Sequence, residues 1–185
     1  MNRMSLTHAA ALLLSAVMAL GLALPAGAQG TAALDASAQR AYGKLVAQVP
    51  TARELGKTAV AVLVFPKITK AGFVIGGQYG EGVLLRSGKP AGYYSTAGAS
   101  YGLQAGAQQF GYAMFFMHEQ ALSALTEMDG FEVGVGPSVV VVDQGMGKSA
   151  TSITTKDDIY AFIFSQKGLM AGVGLQGNKI TKLAK

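Results

Sequence analysis

The sequence predicts an α+β fold, formed as a single domain around a glycine-rich β-sheet. In residues 65–111, aromatic and β-branched residues alternate with glycines and small polar residues, and charges are rare. This pattern is typical of consecutive strands whose backbones approach closely or bend sharply. Helical spacing of apolar residues in 32–49, and again in 119–128, supplies the α part. At 185 residues the chain is long enough for one hydrophobic core.

The helix predicted for 32–49 has one apolar face and carries basic residues elsewhere on its surface. The apolar residues recur every three or four positions, at Leu34, Ala38, Tyr42, Leu45 and Val49. Arg40 and Lys44 lie off this face. Such a helix either packs on a core or lies on a membrane with its basic side exposed, and the sequence leaves both interpretations open.

Further elements are predicted on both sides of a hairpin turn at 86–90. Pro50 ends the first helix, and the pair Thr51 and Glu54 fits a capping box that begins a short second helix. The other elements are strands at 60–65, 101–116, 131–142, 159–164 and 169–175, a helix at 119–128, a polar connection at 143–156 and a basic tail at 178–185.

The first 28 residues have the pattern of a secretory signal peptide. Arg3 gives a positive start, Ala9–Leu24 is apolar, and Pro25–Ala28 provides small residues for cleavage. A permanent transmembrane anchor is the alternative, although the apolar run is short for a span. We therefore expect export to the periplasm or cell envelope, with the folded domain at 29–185 and its core at about 38–183.

Cysteine content and charge narrow the class of protein further. The chain has no cysteine, so an exported form would have neither a disulfide nor a cysteine-linked lipid anchor. The net charge is +5 at pH 7, and the basic residues are scattered. Scattered charge argues against nucleic-acid binding. It is compatible with attraction to an anionic surface and equally with no electrostatic role.

Motifs of common enzymes occur without the residues that they need. Gly98–Gly102 matches the G-x-S-x-G turn of serine hydrolases, but no acidic residue separates Ser100 from His118 and no helix pattern follows. The G-x-G-x-x-G match at 172–177 is followed by only eight residues, too few for a dinucleotide-binding unit. One histidine after the leader and no cysteine cannot form a zinc site. We expect no catalysis, no metal and no cofactor.

Several segments, taken in order, resemble the SYLF domain, also called the Ysc84 domain, and most closely its exported bacterial branch. They read VFPKITKAGFVIGG at 64–77, GASYGLQAGAQ at 98–108, GVGPSVVVVD at 134–143, DIYAFIFSQKGLMAGVGLQG at 158–177 and NKI at 178–180. The resemblance implies a curved, mainly antiparallel sheet with packed N-terminal helices and one internal helix. It also implies phospholipid binding through basic residues and an N-terminal amphipathic helix. Fungal relatives bind actin, which we do not expect of an exported bacterial protein.

These observations lead to one leading function and two alternatives. We expect non-catalytic binding of anionic phospholipid, with headgroup contacts from Lys67, Lys70, Lys167, Lys89, Arg40 and Lys44 and acyl contacts from Leu34, Tyr42 and Leu45. Three or four lysines contribute about 3–4 kcal/mol, a millimolar attraction. The same lysines are equally typical of solvated turns. The alternatives are an envelope scaffold or protein-interaction domain, which could form a homo-oligomer, and a hydrolase at Ser100.

Overall fold

Three helices and six strands make up the part of the chain that the computed structural model describes, residues 30–127, 130–133, 135–142, 157–168 and 177–185. The elements are α1 Thr31–Gln48, α2 Pro50–Thr58, β1 Ala61–Arg86, β2 Lys89–Phe116, α3 Glu119–Thr126, β3 Phe131–Glu132, β4 Val139–Val142, β5 Ile159–Gly168 and β6 Lys179–Leu183. The predicted α+β class is confirmed.

The sheet is built around β2, which has strands on both of its edges. Along one edge it pairs antiparallel with β1, from Phe116 opposite Ala61 to Lys89 opposite Arg86. Along the other edge, β6 pairs with the first part of β2 and β5 with the last part, both antiparallel. β3 adds to β6 antiparallel, and β4 is parallel to β5. The sheet is therefore mainly antiparallel, as expected.

β1 folds back over itself, and this curls the sheet into a half-barrel. A Cβ atom on Gly82 would lie 2.7 Å from the carbonyl oxygen of Val64, and one on Gly80 would lie 2.8 Å from that of Lys67. Side chains cannot approach backbone so closely, so the second half of β1 needs glycine where it crosses the first half. From Gly80 to Gly82 the contacted residue moves back from Lys67 to Val64, so the two halves of β1 run in opposite directions.

Each face of the curled sheet has its own hydrophobic core. The inner face, on the inside of the curl, buries Phe65, Phe110 and Tyr112 and is covered by α3. The outer face buries Phe115 and Phe162 and is covered by α1 and α2. Alternate residues of each strand point to opposite faces, which is why one sheet can support two cores.

The start of α2 differs from the prediction. The helix begins at Pro50 with Val49 at the N-cap position, and no side chain caps it, so the predicted capping box is wrong. Pro50 has no backbone N–H to lose and a φ angle suited to the first helical turn, which places Thr51 inside the helix. Arg53 instead caps the end of α1, since its Nε and Nη2 atoms donate to two carbonyls there, at 2.9 and 3.0 Å.

Three further predictions for the strands change in the structure. The single strand at 131–142 is in fact two, β3 and β4. The basic tail at 178–185 contains β6, because Ile180 alternates with lysines and fills the inner core. The strand predicted at 101–116 is the end of the much longer β2. The turn at 86–90 and the helix near 119–128 are found as predicted, while the segments at 1–28, 143–156 and 169–175 lie outside the described residues.

Candidate functional site

A pocket of about 260 Å³ opens on the outer face between α1, β1 and β5. We call it the basic pocket, and it is lined by Ser37, Arg40, Ala41, Lys44, Pro66, Lys67, Phe164 and Ser165. Phe164, Ala41 and Pro66 give it an apolar part, and three cationic and two hydroxyl side chains complete the lining. The helix and the two strands that form it lie far apart in the sequence.

Local irregularities in β1 and β5 put the strand residues of the basic pocket in place. On β1, the pairing with β2 shifts by one residue between Phe65 and Ile68, so Pro66 and Lys67 form a bulge. On β5, the pairing also shifts, and Ser165 has a positive φ of 53°. Bulges redirect side chains locally. The two irregular strands therefore present Lys67 and Ser165 toward α1.

The helix contributes two cations from a single face. Arg40 and Lys44 are four residues apart and so lie on the same side of α1, one turn from each other. Nη2 of Arg40 donates a hydrogen bond of 3.2 Å to Oγ of Ser37, one turn earlier. This bond holds the guanidinium at the pocket wall and leaves its other donors available.

The electrostatics of the basic pocket favour an anion. The lining contains three cations and no carboxylate. The ion pairs found among the described residues are Lys57–Glu54, Arg86–Glu119 and Lys185–Glu81, so none of them involves the pocket. Like charges that converge without a counter-ion raise the local positive potential and attract anions.

Lys167 extends this positive surface, whereas two other predicted lysines do not. Thr69, Gln109 and Lys167 lie in one row across β1, β2 and β5, and all three are exposed on the outer face. Lys70 pairs with Gln108 and points to the inner face, where it is only 4% exposed. Lys89 lies beside the β1–β2 turn, at the other end of the folded strand. The structure therefore brings Arg40, Lys44 and Lys67 together in the basic pocket, leaves Lys167 exposed on the same face but outside the lining, and separates Lys70 and Lys89 from them.

The apolar residues predicted to contact acyl chains are part of the outer core. Leu34 and Leu45 are buried against the sheet, Leu45 to 2% exposure. The ring of Tyr42 lies 6.1 Å from that of Phe115, and partial burial raises the pKa of its hydroxyl. While α1 stays on the sheet, neither leucine can reach a lipid. The expectation for these residues is therefore revised, and the core-packing interpretation of the helix describes the structure.

A comparison with protein families matches the second part of the chain. Residues 97–185 match the family Ysc84, described as Las17-binding protein actin regulator. This part of the chain is therefore similar to the Ysc84 family. The matched residues include Phe164, Ser165 and Lys167, whereas α1 and β1, which supply Arg40, Lys44 and Lys67, precede the match. No curated protein matches the chain significantly.

The Ysc84 family consists of modules linked to lipid and actin binding and is not known for catalysis. The structure also places the two residues that were weighed for catalysis in the sequence. Ser100 lies within β2 rather than at a turn from a strand to a helix, and His118 is the N-cap residue of α3. Within the described part of the chain, no group of three His, Cys, Asp or Glu residues could hold a metal ion. None of the described helices is both long and apolar enough to cross a membrane.

Sequence reasoning missed the two serines of the basic pocket. Ser37 could have been found, because a hydroxyl three residues before an arginine lies on the same helical face. Ser165 could not, since neither its positive φ nor the shift in β5 has a local signature in the sequence. The sequence also did not reveal that Lys67 lies in a bulge within β1 and not in a turn between strands.

Proposed function

We propose that this domain binds anionic phospholipid without catalysis, through the basic pocket. The observation that carries the proposal is the convergence of Arg40, Lys44 and Lys67 around one pocket without a carboxylate. Guanidinium and ammonium groups form short, charge-assisted hydrogen bonds with phosphate oxygens. The hydroxyls of Ser37 and Ser165 are further donors, so a phosphodiester headgroup would find partners on three sides.

Long-range attraction alone is too weak for this function. Each basic residue near an anionic membrane contributes about 1 kcal/mol, so the three pocket cations and Lys167 give about 4 kcal/mol, or millimolar binding. The pocket supplies what this estimate lacks, since a headgroup held inside it is partly shielded from water and its contacts strengthen there. Similarity to a family linked to lipid binding supports the same assignment.

The cellular setting is also a proposal. The leader pattern at 1–28 supports export, and phosphatidylglycerol and cardiolipin are the anionic lipids of a bacterial envelope that the pocket would meet. The chain would then be a peripheral protein of the periplasm. The mass of the protein recovered from cells tests this, because export predicts loss of residues 1–28, and an intact N-terminus on the recovered protein would refute it.

Vesicle co-sedimentation tests the lipid proposal directly. We expect binding to vesicles with phosphatidylglycerol, little binding to pure phosphatidylcholine, and weaker binding as salt rises. Replacing Arg40, Lys44 and Lys67 by Gln together should remove about 3 kcal/mol of long-range attraction and the pocket contacts as well, so affinity should fall by more than about a hundredfold.

A matched control separates the pocket from net charge. Lys57, Lys89 and Lys182 are exposed and do not line the basic pocket, so replacing them by Gln removes the same charge elsewhere. The control variant should lose much less affinity than the pocket variant. Equal losses, or equal pelleting with neutral and anionic vesicles, would overturn the assignment of the pocket. Co-sedimentation with filamentous actin, run in parallel, tests the expectation that actin binding does not transfer.

A protein-interaction function has one observation in its favour. Ile75 and Tyr79 are large apolar residues, 59% and 51% exposed, on the outer face of β1. A patch without lysines would favour a protein partner, but Tyr79 pairs with Ala97, and Ala97 pairs with Lys179, so a lysine lies in the same row. The lipid function is therefore preferred. A concentration-dependent oligomer that an Ile75→Ser, Tyr79→Ser variant abolishes would support the alternative instead.

A further inference from the structure

A lysine is buried inside the curled sheet, on the face opposite the basic pocket. Lys70 is 4% exposed, and no described residue forms a hydrogen bond or ion pair with it. Its Nζ is not among the fully buried side-chain atoms without a partner, so some solvent reaches it, but the rest of the side chain is enclosed and no anion compensates the charge. This residue therefore requires an explanation other than packing.

The sequence provides no carboxylate for Lys70 from the neighbouring segments. Residues 100–110 of β2, which pair with this part of β1, contain neither Asp nor Glu. Carboxylates bonded to other partners are those of Asp35, Glu54, Glu81, Glu119, Asp157 and Asp158. Glu127 and Glu132 are exposed, and Asp129 and Asp143 lie outside the described residues. No carboxylate of the described residues therefore pairs with Lys70.

Two glutamines beside Lys70 also have buried atoms without partners. Gln108 lies directly opposite Lys70 on β2, and its Oε1 is buried without a hydrogen bond. Gln78 is buried too, with Nε2 unsatisfied. The fold-back of β1 brings Gln78 near Lys70. Gly80 lies against Ile68, and the two halves of β1 run in opposite directions, so the residue two positions before Gly80 lies against the residue two positions after Ile68. Buried polar atoms are nearly always paired, so two unpaired amide groups beside a lysine without a partner indicate a ligand.

Lys70 keeps some contact with solvent. Its Nζ is not among the fully buried atoms, and the residue is two positions from the bend at 72–76, where β1 reverses and where Ile75 is exposed. The basic pocket lies on the other face of the sheet, so the two sites share no side chain.

We propose that Lys70, Gln78 and Gln108 form a binding site for a phosphate group on the inner face. The ammonium of Lys70 and the amide N–H of Gln78 would donate to phosphate oxygens. The Oε1 of Gln108 needs a donor, which a singly protonated phosphate or a glycerol hydroxyl provides and a carboxylate does not. The phosphate group can be free or part of a small phosphoester, and the ligand series below separates these sources.

Calorimetric titration of the full folded protein with inorganic phosphate, glycerol 3-phosphate and acetate tests the site at constant ionic strength. We expect saturable binding of at least one phosphate ligand and none of acetate. Tighter binding of glycerol 3-phosphate identifies a phosphoester, and equal or tighter binding of inorganic phosphate identifies the free ion. If ordered water alone fills the site, no phosphate ligand will bind, and the proposal is overturned. Equal binding of acetate overturns the preference for phosphate.

Variants distinguish this site from the basic pocket. Lys70→Met should weaken phosphate binding at least tenfold, and Gln108→Leu should weaken it as well, which keeps the test valid if one variant does not fold. The Gln variant of Lys57, Lys89 and Lys182, which lie outside both sites, should bind phosphate as the wild type does. The Gln variant of Arg40, Lys44 and Lys67 should keep the part of the phosphate binding that Lys70→Met removes. If that variant loses phosphate binding while Lys70→Met retains it, the ligand occupies the basic pocket, and the inner site is refuted while the lipid proposal stands.

Discussion

Replacing Leu45 by Ala measures whether α1 belongs to the core. Leu45 is 2% exposed and packs in the outer core with Leu34 and Phe162. Truncating a leucine at such a position removes its buried methyl groups and leaves a cavity, at a typical cost of about 2–5 kcal/mol. Taking about 3 kcal/mol, and about 2–4 °C per kcal/mol for a domain of this size, the melting temperature should fall by about 6–12 °C.

The assay is thermal or urea unfolding followed by circular dichroism. Gln39→Ala is the matched control, because Gln39 is exposed on the same helix and alanine is a better helix former. Its stability should equal or slightly exceed that of the wild type. Vesicle binding by the folded fraction of Leu45→Ala should not change, since the side chain does not reach the basic pocket. Unchanged unfolding together with lost vesicle binding would refute the reasoning, because it would mean that the helix leaves the sheet and lies on the membrane.

Three other predictions concern the sheet, a carboxylate and a helix end. Gly82→Ala should destabilise the fold by about 1–3 kcal/mol in urea unfolding, because its Cβ would meet backbone, whereas Gly77→Ala, which has space, should be neutral or stabilising; equal stabilities would contradict the fold-back. Hydrogen bonds from the backbone N–H and then the hydroxyl of Ser138 lower the pKa of Asp158 below its usual value. The pKa of this carboxyl is therefore lower in the folded protein than its value near 4 in the unfolded chain. The ionised carboxylate stabilises the fold above the unfolded pKa, and this stabilisation is lost as pH falls through the folded pKa. The difference in unfolding free energy between wild type and Asp158→Asn should therefore shrink between about pH 6 and pH 3. Arg53→Met should lower stability by about 1 kcal/mol, since two carbonyls at the end of α1 lose their donor, and an unchanged urea midpoint would show that water replaces it.

The glycine-rich stretch predicted the character of the sheet but not its closure. Glycines inside strands indicated close approach or bending, and the structure has both along β1. Which backbone approaches was not predictable, because Gly82 meets Val64, eighteen residues earlier in the chain. A glycine within a strand pattern indicates that a side chain does not fit at that position. Which part of the chain fills the space depends on long-range contacts, which the local sequence does not reveal.

The C-terminal strand β6 is a feature that the sequence did not predict. Residues 178–185 contain three lysines, and the sequence predicts a basic tail. In the structure Ile180 is buried in the inner core, and its two neighbours pair with Ser95 and Ala97 of β2. A strand of five residues with one buried side chain has too little alternation to be distinguished from a polar tail by sequence.

The prediction of the basic residues depended on their treatment as turn lysines. Under that assumption Lys67 and Lys70 flank one turn and serve one surface. In the structure the chain at this point is a strand, where neighbours alternate between faces, so three residues of separation place the two lysines on opposite faces. The register shift between Phe65 and Ile68 determines which face each lysine takes.

The bulge at Pro66 and Lys67 decides which lysine faces which side. Without the extra residue, Lys67 would follow Phe65 onto the inner face and Lys70 would point outward with α1. With it, Ile68 and Lys70 keep the inner face, and Lys67 joins Arg40 and Lys44 in the basic pocket. One inserted residue thus supplies a cation to the outer pocket and another to the interior of the curl. Since both proposed sites depend on this register and share no side chain, a variant that removes one lysine tests one site while leaving the other as its internal control.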